Sequence, residues 1–166
     1  MRFYVHKLGC PKNDVDADYI SARLIDAGHL PVAGEDEAES VIVNTCGFIQ
    51  PAKEESINEI FRIAGLKQSG QLRTLYAAGC LTQRYGNEML AEMPELDGAF
   101  GHGALDSLAQ AVSTSSKLDK VVRMDTRKLG YLSWKHRFIS DGYPYSYLKI
   151  SDGCDRGCTY CAIPGM

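Results

Sequence analysis

The stretch VIVNTCGFIQPAKEES, residues 41–56, combines an apolar strand pattern, a cysteine beside a glycine, and a proline that opens a helical pattern. The short apolar segment at 41–45 favours a strand. Pro51 suits the first turn of a helix, where its missing N–H has no intrahelical partner to lose. The stretch therefore predicts a strand-loop-helix unit with Cys46 in the loop. The inner stripe of its helix is predicted to consist of Ile57, Ile60, Phe61 and Ala64.

The same unit occurs before this stretch. Residues 2–8, RFYVHKL, are predicted to form a strand, and Asn13 or Asp14 is available as the N-cap of the following helix. Gly28 is placed to end that helix. Its apolar residues recur at helical intervals, at Ala17, Ile20, Leu24 and Ala27.

Two further units follow. Residues 72–79, LRTLYAAG, predict a strand, and a helix from about 83 to 93 is ended by Pro94. The last unit has a short strand at 98–100 and a helix face formed by Leu105, Leu108, Ala109 and Val112. Strands that alternate with helices predict right-handed crossovers. The expected fold is therefore α/β, an open parallel sheet flanked by helices.

This alternation ends near the serine-rich segment STSS at 113–116. We therefore predict an α/β domain at 1–112, a linker at 113–143 and the start of a second domain at 144–166. The segment YSYLKI at 145–150 alternates like a strand and leads directly into a cysteine-rich loop.

Composition and charge narrow the classes of function. The net charge of −3 and the pI near 5.8 give no overall attraction to nucleic acid or acidic membranes. The sequence has no run of 18 apolar residues and no signal-peptide pattern, so we expect a cytoplasmic protein. Six cysteines are too few for a disulfide-built small protein, and the cytosol is reducing. Clustered cysteines are therefore expected to bind a metal or to carry redox chemistry.

Cys10, Cys46 and Cys80, here called the strand-end triplet, each lie just beyond a predicted strand and beside a glycine. They are separated by 36 and 34 residues, the length of one strand-helix unit. The carboxyl ends of neighbouring parallel strands share one edge of a sheet, where ligands usually bind. A neighbouring glycine permits unusual backbone angles or a close approach. We predict one shared site; the alternative is that the three cysteines are small packing residues.

A terminal triplet lies in the loop SDGCDRGCTYC at 151–161, at Cys154, Cys158 and Cys161. Its spacing lets one loop wrap around a metal centre, and thiolates bind both zinc and iron-sulfur clusters. Structural zinc takes four protein ligands, and neither triplet has an evident fourth, although His102 and His136 are available. Three thiolates on a 4Fe-4S cluster leave one iron open to another ligand. Two 4Fe-4S clusters are therefore favoured over two zinc sites.

The loop CDRGCTYC resembles the cluster motif of radical S-adenosylmethionine enzymes, in which an aromatic residue, here Tyr160, commonly precedes the last cysteine. With LGCPKNDVDAD, VIVNTCGFIQPAKEES and AAGCLTQRY, the chain resembles the methylthiotransferase family over essentially its whole length. The segment GCPKN is similar to the branch that modifies a ribosomal protein, whereas the tRNA-modifying branch typically has GCQMN at that position.

The resemblance implies a two-cluster enzyme. A 4Fe-4S cluster on the terminal triplet would bind S-adenosylmethionine and generate a 5′-deoxyadenosyl radical, with Tyr160 near the adenine. An auxiliary 4Fe-4S cluster on the strand-end triplet would carry the sulfur species, and a second S-adenosylmethionine would supply the methyl group. The implied acceptor is the β-carbon of an aspartyl residue in ribosomal protein S twelve of the small subunit. An electron donor and a sulfur donor are the other implied partners, and no catalytic side chain is identified.

Two other functions stay open at this point: methylthiolation of a tRNA adenosine, and a cluster-binding module without turnover of its own. Complete members of the family continue through a radical-enzyme barrel and a small β-domain. We therefore expect this chain to be an incomplete, inactive portion with a poorly anchored tail after residue 112. The alternative for Tyr160 is simple packing within its loop.

Three weaker motifs are interpreted as structural features and not as functional sites. The segment GHGALD at 101–106 is predicted to be a turn, since it lacks the third glycine of a dinucleotide fingerprint. The basic and aromatic run at 127–138 is predicted to be interdomain linker, with contact to RNA as the alternative. The acidic residues at 14, 16 and 18 are predicted to stabilise a helix N-terminus through its dipole, without binding metal.

Overall fold

The computed structural model describes residues 1–114, 120–124, 137–139, 144–151 and 153–165. Its strands are β1 (Arg2–Lys7), β2 (Leu30–Pro31), β3 (Ser40–Thr45), β4 (Thr74–Gly79), β5 (Gly98–Phe100) and β6 (Val121–Arg123). Its α-helices are α1 (Pro11–Asp26), α2 (Gln50–Gln68), α3 (Cys80–Glu92) and α4 (Leu105–Thr114). Short 3-10 turns occur at Glu35–Glu37, His102–Ala104 and Ile163–Gly165.

The described strands form one parallel sheet in the order β2-β1-β3-β4-β5-β6. The central strands β3 and β4 are buried along their whole lengths because helices cover both faces. Ile60 and Ile63 of α2 belong to the core on one face, and Ile20 and Leu24 of α1 belong to the core on the other. Burial of one such aliphatic side chain contributes roughly 1.5–3 kcal/mol. The predicted α/β fold with an open parallel sheet is confirmed.

The register of the central strands brings their carboxyl ends to one level. Lys7 of β1 pairs with Asn44 of β3, and Thr45 of β3 pairs with Gly79 of β4. Since these three strands are neighbours and run in the same direction, the loops that follow them leave the sheet at the same edge.

Two helices begin earlier than the sequence pattern predicted. Helix α1 starts at Pro11, with Cys10 in extended conformation as its N-cap, so Asn13 and Asp14 lie inside the helix. Helix α3 starts at Cys80 and not near Gln83. Proline at the first position fixes the start of α1, and the positive φ of Gly79 turns the chain directly from β4 into α3.

The buried helix stripes are narrower than predicted. Phe61 is 50% exposed, Ala27 is exposed and Ala109 is only partly buried. Successive residues of an α-helix are rotated by about 100°, so Phe61 turns away from the sheet when Ile60 and Ile63 face it. Ser56 occupies a fully buried position of α2 that the apolar pattern did not indicate.

Beyond α4 the structure differs from the sequence pattern in two places. Strand β6 lies inside the predicted linker at 113–143 and pairs with β5, Gly98 opposite Val121. The strand predicted at 145–150 does not form; these residues have no ladder partner in the part of the chain that the structure describes, and Leu148 and Ile150 are 76% and 79% exposed. The predicted linker run at 127–138 is described only at 137–138, and His136 lies outside the described residues.

Part of the expected loose tail is attached to α1. Arg137 donates to the carboxylate of Asp18 at 2.6 Å, and Lys149 donates to Asp16 at 2.8 Å. The backbone N–H of Phe138 also donates to the carbonyl of Asp18 at 3.2 Å. In contrast, residues 153–160 are exposed throughout.

No helix in the described ranges combines the length and the apolar character that a membrane span requires.

Candidate cluster site

The strand-end triplet lies on three loops at one edge of the sheet. Cys10 follows β1 and caps α1, Cys46 follows β3, and Cys80 follows β4 as the first residue of α3. Cys10 is exposed, Cys80 is partly exposed and Cys46 is buried. The alternative interpretation, that these cysteines are small packing residues, therefore applies only to Cys46. Cys10 and Cys80 both sit at helix N-termini, where the helix dipole stabilises negative charge such as that of a thiolate.

Glycines let the first two loops touch. Gly9 has a φ of +90°, and a Cβ there would lie 2.6 Å from Cβ and 2.9 Å from Sγ of Cys46. These distances are shorter than any packed side chain tolerates. The loop after β1 therefore approaches the Cys46 thiol more closely than any other residue type would allow.

Glycines also join the second and third loops. A Cβ on Gly47 would lie 2.8 Å from Cα of Leu81, and one on Gly79 would lie 2.6 Å from the carbonyl oxygen of Thr45. Gly79 has a φ of +99°. The expectation that the glycines beside the cysteines provide unusual angles and close approach is confirmed.

Two buried asparagines tie the loops to α1. The side-chain amide of Asn13 donates to the carbonyl oxygens of Leu8 at 2.7 Å and Thr45 at 3.0 Å. The side-chain amide of Asn44 donates to the carbonyl oxygen of Asn13 at 2.7 Å. These bonds satisfy backbone groups where β1 and β3 end. The signal in the sequence is Asn44, a polar residue at the end of an otherwise apolar strand, and the apolar pattern alone does not indicate its role.

Ser56 of α2 fixes the backbone of Cys46. The N–H of Cys46 donates to the Ser56 hydroxyl at 3.0 Å, and this hydroxyl lies 3.2 Å from the Cys46 carbonyl oxygen. Because Ser56 is fully buried, helix α2 holds the central cysteine of the triplet in place.

All six cysteines are free thiols. Burial raises the pKa of Cys46, and so does the proximity of Cys80 and Cys10, while the backbone N–H of Phe48 opposes the rise. Cys10 and Cys80 are thus both near enough to influence the Cys46 thiol. A bound metal reverses this preference, because a coordinating thiol is deprotonated.

The triplet fits an iron-sulfur cluster by donor chemistry and by placement. Three soft sulfur donors come from adjacent loops, and the exposed position of Cys10 leaves the edge accessible. Among the side chains that the structure describes, no three Cys, His, Asp or Glu residues are already grouped as a metal site. Ligation of a cluster by these cysteines stays a prediction.

His102 adds a histidine to this edge. Its Nε2 lies 3.3 Å from Sγ of Cys80, and its Nδ1 lies 3.5 Å from a carboxylate oxygen of Asp16. Burial lowers the pKa of His102, but the nearby Asp16 carboxylate and the Cys80 sulfur outweigh it and raise this pKa to about 10. The predicted turn at 101–106 is present in its first half as a 3-10 turn, and Leu105 already begins α4.

Of the three acidic residues predicted to stabilise the N-terminus of α1, Asp14 lies in its first turn as expected, whereas Asp16 and Asp18 have a different role. Asp16 and Asp18 are buried and pair with Lys149 and Arg137, so they attach a later segment to α1. Burial raises the pKa of Asp16, but His102 and Lys149 outweigh it and the pKa lies below its usual range. A helix-dipole role does not explain this burial, because buried charges need partners.

The terminal triplet lies on an open loop. Cys154 and Cys158 are exposed and Cys161 is partly buried. The N–H of Cys161 donates to the carbonyl oxygen of Cys158 at 3.1 Å, which forms a turn between them. Tyr160 is 91% exposed. Packing within the loop therefore does not describe Tyr160, and its place near an adenine stays a prediction.

Residues 2–101 match the family described as Uncharacterized protein family UPF0004. The chain belongs to this family. The match ends directly after β5 and includes the whole strand-end triplet.

Curated relatives of the chain carry the name Ribosomal protein uS12 methylthiotransferase RimO. One from Syntrophomonas wolfei is 46% identical over 159 residues, 96% of this chain and 36% of the relative. Those from Heliobacterium modesticaldum and Clostridioides difficile are 40% and 38% identical over the whole chain, which spans 36% and 37% of their lengths. The chain thus spans little more than a third of these relatives. The resemblance to the N-terminal portion of methylthiotransferases is confirmed.

Proposed function

We propose that this chain is part of a methylthiotransferase that adds a methylthio group to the β-carbon of an aspartyl residue in ribosomal protein uS12. The observation that carries the proposal is the strand-end triplet, three cysteines on adjacent loops at one sheet edge. Relatives at 38–46% identity that are named for this activity support it.

The proposed cofactors are two 4Fe-4S clusters and S-adenosylmethionine. Cys10, Cys46 and Cys80 would hold the auxiliary cluster, and the terminal triplet would hold the cluster that binds S-adenosylmethionine, with Tyr160 close to the adenine. When bound, these groups supply one-electron cleavage of S-adenosylmethionine and the sulfur that is transferred.

The chain's own residues orient the auxiliary site. Asn13 and Asn44 hold the ends of β1 and β3 together, and Ser56 fixes the backbone of Cys46. The thiolates of Cys10, Cys46 and Cys80 would hold a 4Fe-4S cluster by three of its irons, and the fourth would be available to a sulfur species. Rigid support of the three cysteines would preserve the geometry that sulfur transfer requires.

The terminal site is proposed to need surrounding protein that shields it from water, which the described residues do not provide. Cys154, Cys158 and Tyr160 are exposed, so bound S-adenosylmethionine would be open to water. We therefore expect no turnover by the 166-residue chain alone. The small ribosomal subunit, an electron donor and a sulfur donor are the proposed partners, which implies a cytoplasmic setting.

Iron and sulfide quantitation after anaerobic reconstitution tests the cluster assignment. Alanine replacement of Cys10, Cys46 and Cys80 is expected to remove about four irons, and so is alanine replacement of the terminal triplet. Each triple variant is the matched control for the other. Unchanged iron content in the first variant would mean that the strand-end cysteines do not hold a cluster.

The substrate is tested separately in cells that lack the endogenous methylthiotransferases. Expression of the whole gene product containing this chain is expected to add the mass of one methylthio group to uS12. Modification of tRNA adenosine with unmodified uS12 would contradict the proposed substrate and leave the cluster assignment intact.

A further inference from the structure

His102 contacts the strand-end triplet without belonging to it. Its Nε2 lies 3.3 Å from Sγ of Cys80, within range of a hydrogen bond to sulfur, and its side chain is only 18% exposed. A thiolate has no proton to donate, so the ring N–H is the donor when Cys80 is deprotonated.

The turn that carries His102 is held by the same helix that carries Cys80. The backbone N–H of His102 donates to Oε1 of Gln83 at 2.9 Å. Gln83 lies one helical turn after Cys80 in α3, and a Cβ on Gly101 would overlap its side-chain oxygen. The turn that carries the ring and the residue that carries the thiol are therefore attached to the same helix.

Asp16 supports the other side of the ring. Its Oδ2 lies 3.5 Å from Nδ1 of His102, the separation of an ion pair, and its Oδ1 accepts from Lys149 at 2.8 Å. The Asp16 side chain is 9% exposed. A buried carboxylate at this distance favours the ring orientation in which Nδ1 faces Asp16 and Nε2 faces Cys80.

We propose that His102 is a positioning residue for the auxiliary cluster. Its Nε2–H group hydrogen-bonds the Cys80 thiolate, holds that ligand in one orientation and raises the one-electron reduction potential of the cluster. The inference rests on the proposed assignment of a cluster to Cys10, Cys46 and Cys80. Hydrogen bonds to the sulfurs are among the factors that set cluster potentials, since an N–H dipole stabilises the negative charge that reduction adds. His102 thus acts through Cys80 and not on the substrate.

The test measures the potential of the strand-end cluster alone. The background protein is the full chain with the terminal triplet replaced by alanine. It keeps one predicted cluster site, the strand-end triplet. Into it are placed His102→Leu, which removes the donor, and His102→Gln, which keeps an N–H donor. His29→Gln is the matched control, because His29 lies before β2 and contacts Ser113 at 2.9 Å. Iron and sulfide content and a redox titration followed by electron paramagnetic resonance are recorded anaerobically.

We expect His102→Leu to lower the midpoint potential while iron content stays complete. His102→Gln and His29→Gln are expected to keep the potential of the background protein. The affinity of the His102→Leu protein for iron, measured by competition with a chelator, is expected to be about tenfold lower, the smaller end of the usual effect of losing an outer contact.

An unchanged potential in a fully loaded His102→Leu protein overturns the inference. If His102→Leu does not fold, His102→Phe takes its place, and failure of both to fold overturns the positioning role in favour of a structural one. Absence of iron from the background protein rejects the proposed cluster assignment itself, and with it this role of His102. If the background protein and the His102→Leu protein both contain the full amount of iron and have the same midpoint potential, only the role of His102 is rejected.

Discussion

Single residues without large apolar side chains determine how closely the three cysteine loops meet. Gly79 has a φ of +99° and lies against the backbone of Thr45, and Asn13 donates hydrogen bonds across the ends of β1 and β3. None of these residues is a predicted ligand. Their effect is geometric, because they remove steric bulk or satisfy carbonyl groups at the point where strands end.

Replacing Gly79 by alanine tests the close contact. A residue with a Cβ costs about 1–2 kcal/mol at positive φ, and overlap with the Thr45 backbone adds about 1–3 kcal/mol. Gly70→Ala is the matched control, since Gly70 has a φ of +80° and a Cβ there would have no described atom within 4 Å. Urea unfolding is expected to show a larger loss for Gly79→Ala. Equal losses in the two variants would show that the loop contact contributes nothing.

Asn13→Ala tests the hydrogen bonds at the strand ends. It leaves the carbonyl groups of Leu8 and Thr45 without this donor, and we expect the free energy of unfolding to fall by about 1–3 kcal/mol. The control is Asn58→Ala on the exposed surface of α2, which is expected to change stability by less than about 0.5 kcal/mol. The prediction is wrong if chemical denaturation gives the same midpoint for both variants.

At the scale of elements, an ion pair connects helix α2 to the 3-10 turn at Glu35–Glu37. The guanidinium of Arg62 on α2 contacts Glu35 of the 3-10 turn at Glu35–Glu37 and also contacts Glu59 on its own helix. This pairing connects α2 to the segment between β2 and β3. Because the Arg62 side chain is 46% exposed, the net stabilisation is below about 1 kcal/mol.

The pairing predicts a pH dependence of stability. The hydrogen bond from Arg62 lowers the pKa of Glu35, and burial only partly opposes this. A lowered folded-state pKa stabilises the fold above the unfolded pKa, and this contribution is lost as pH falls through the folded pKa. Glu35→Gln should therefore destabilise the protein at pH 7, with a difference from wild type that shrinks below about pH 4.

The control for this measurement is Glu37→Gln in the same turn, where Glu37 is exposed. Thermal unfolding between pH 3 and pH 7 is compared for both variants. A Glu35→Gln effect that stays constant over this range would rule out the ion pair as its source.

At the scale of the whole molecule, the core does not depend on the cysteines. The two faces of the sheet are covered by apolar side chains of α1 and α4 and of α2 and α3, and Cys46 is the one buried thiol among the described residues. We therefore expect packing of these side chains, and not a metal centre, to stabilise the fold, unlike in small domains that fold only when metal binds.

This leads to a prediction for metal removal. Chelation of iron under anaerobic conditions is expected to leave most of the far-ultraviolet circular dichroism unchanged. Leu24→Ala, which removes a fully buried side chain of α1, is expected to lower stability by about 2–5 kcal/mol and provides the contrast. Loss of most helical signal on chelation would show that the site, and not the core, maintains the fold.

The sequence alone determined the α/β class, the four strand-helix units and the two cysteine triplets. These follow from short-range information, since periodicity, proline and glycine act within a few residues. The regular spacing of Cys10, Cys46 and Cys80 also placed them at strand ends, because each interval equals one structural repeat.

Only the tertiary structure decided which distant side chains meet. Cys80 and His102 are 22 residues apart, and Asp16 and Lys149 are 133 residues apart, so neither contact has a local pattern. The sheet order places β4 beside β5, so Cys80 after β4 meets His102 after β5. Lys149 reaches Asp16 from a segment outside the sheet. The tertiary structure also decided which segments after α4 form strands. Val121–Arg123 pairs with β5. Residues 145–150 have the alternating side-chain pattern of a strand but no partner strand within the described ranges. A strand needs a neighbour to satisfy its backbone groups, and no sequence pattern supplies that neighbour.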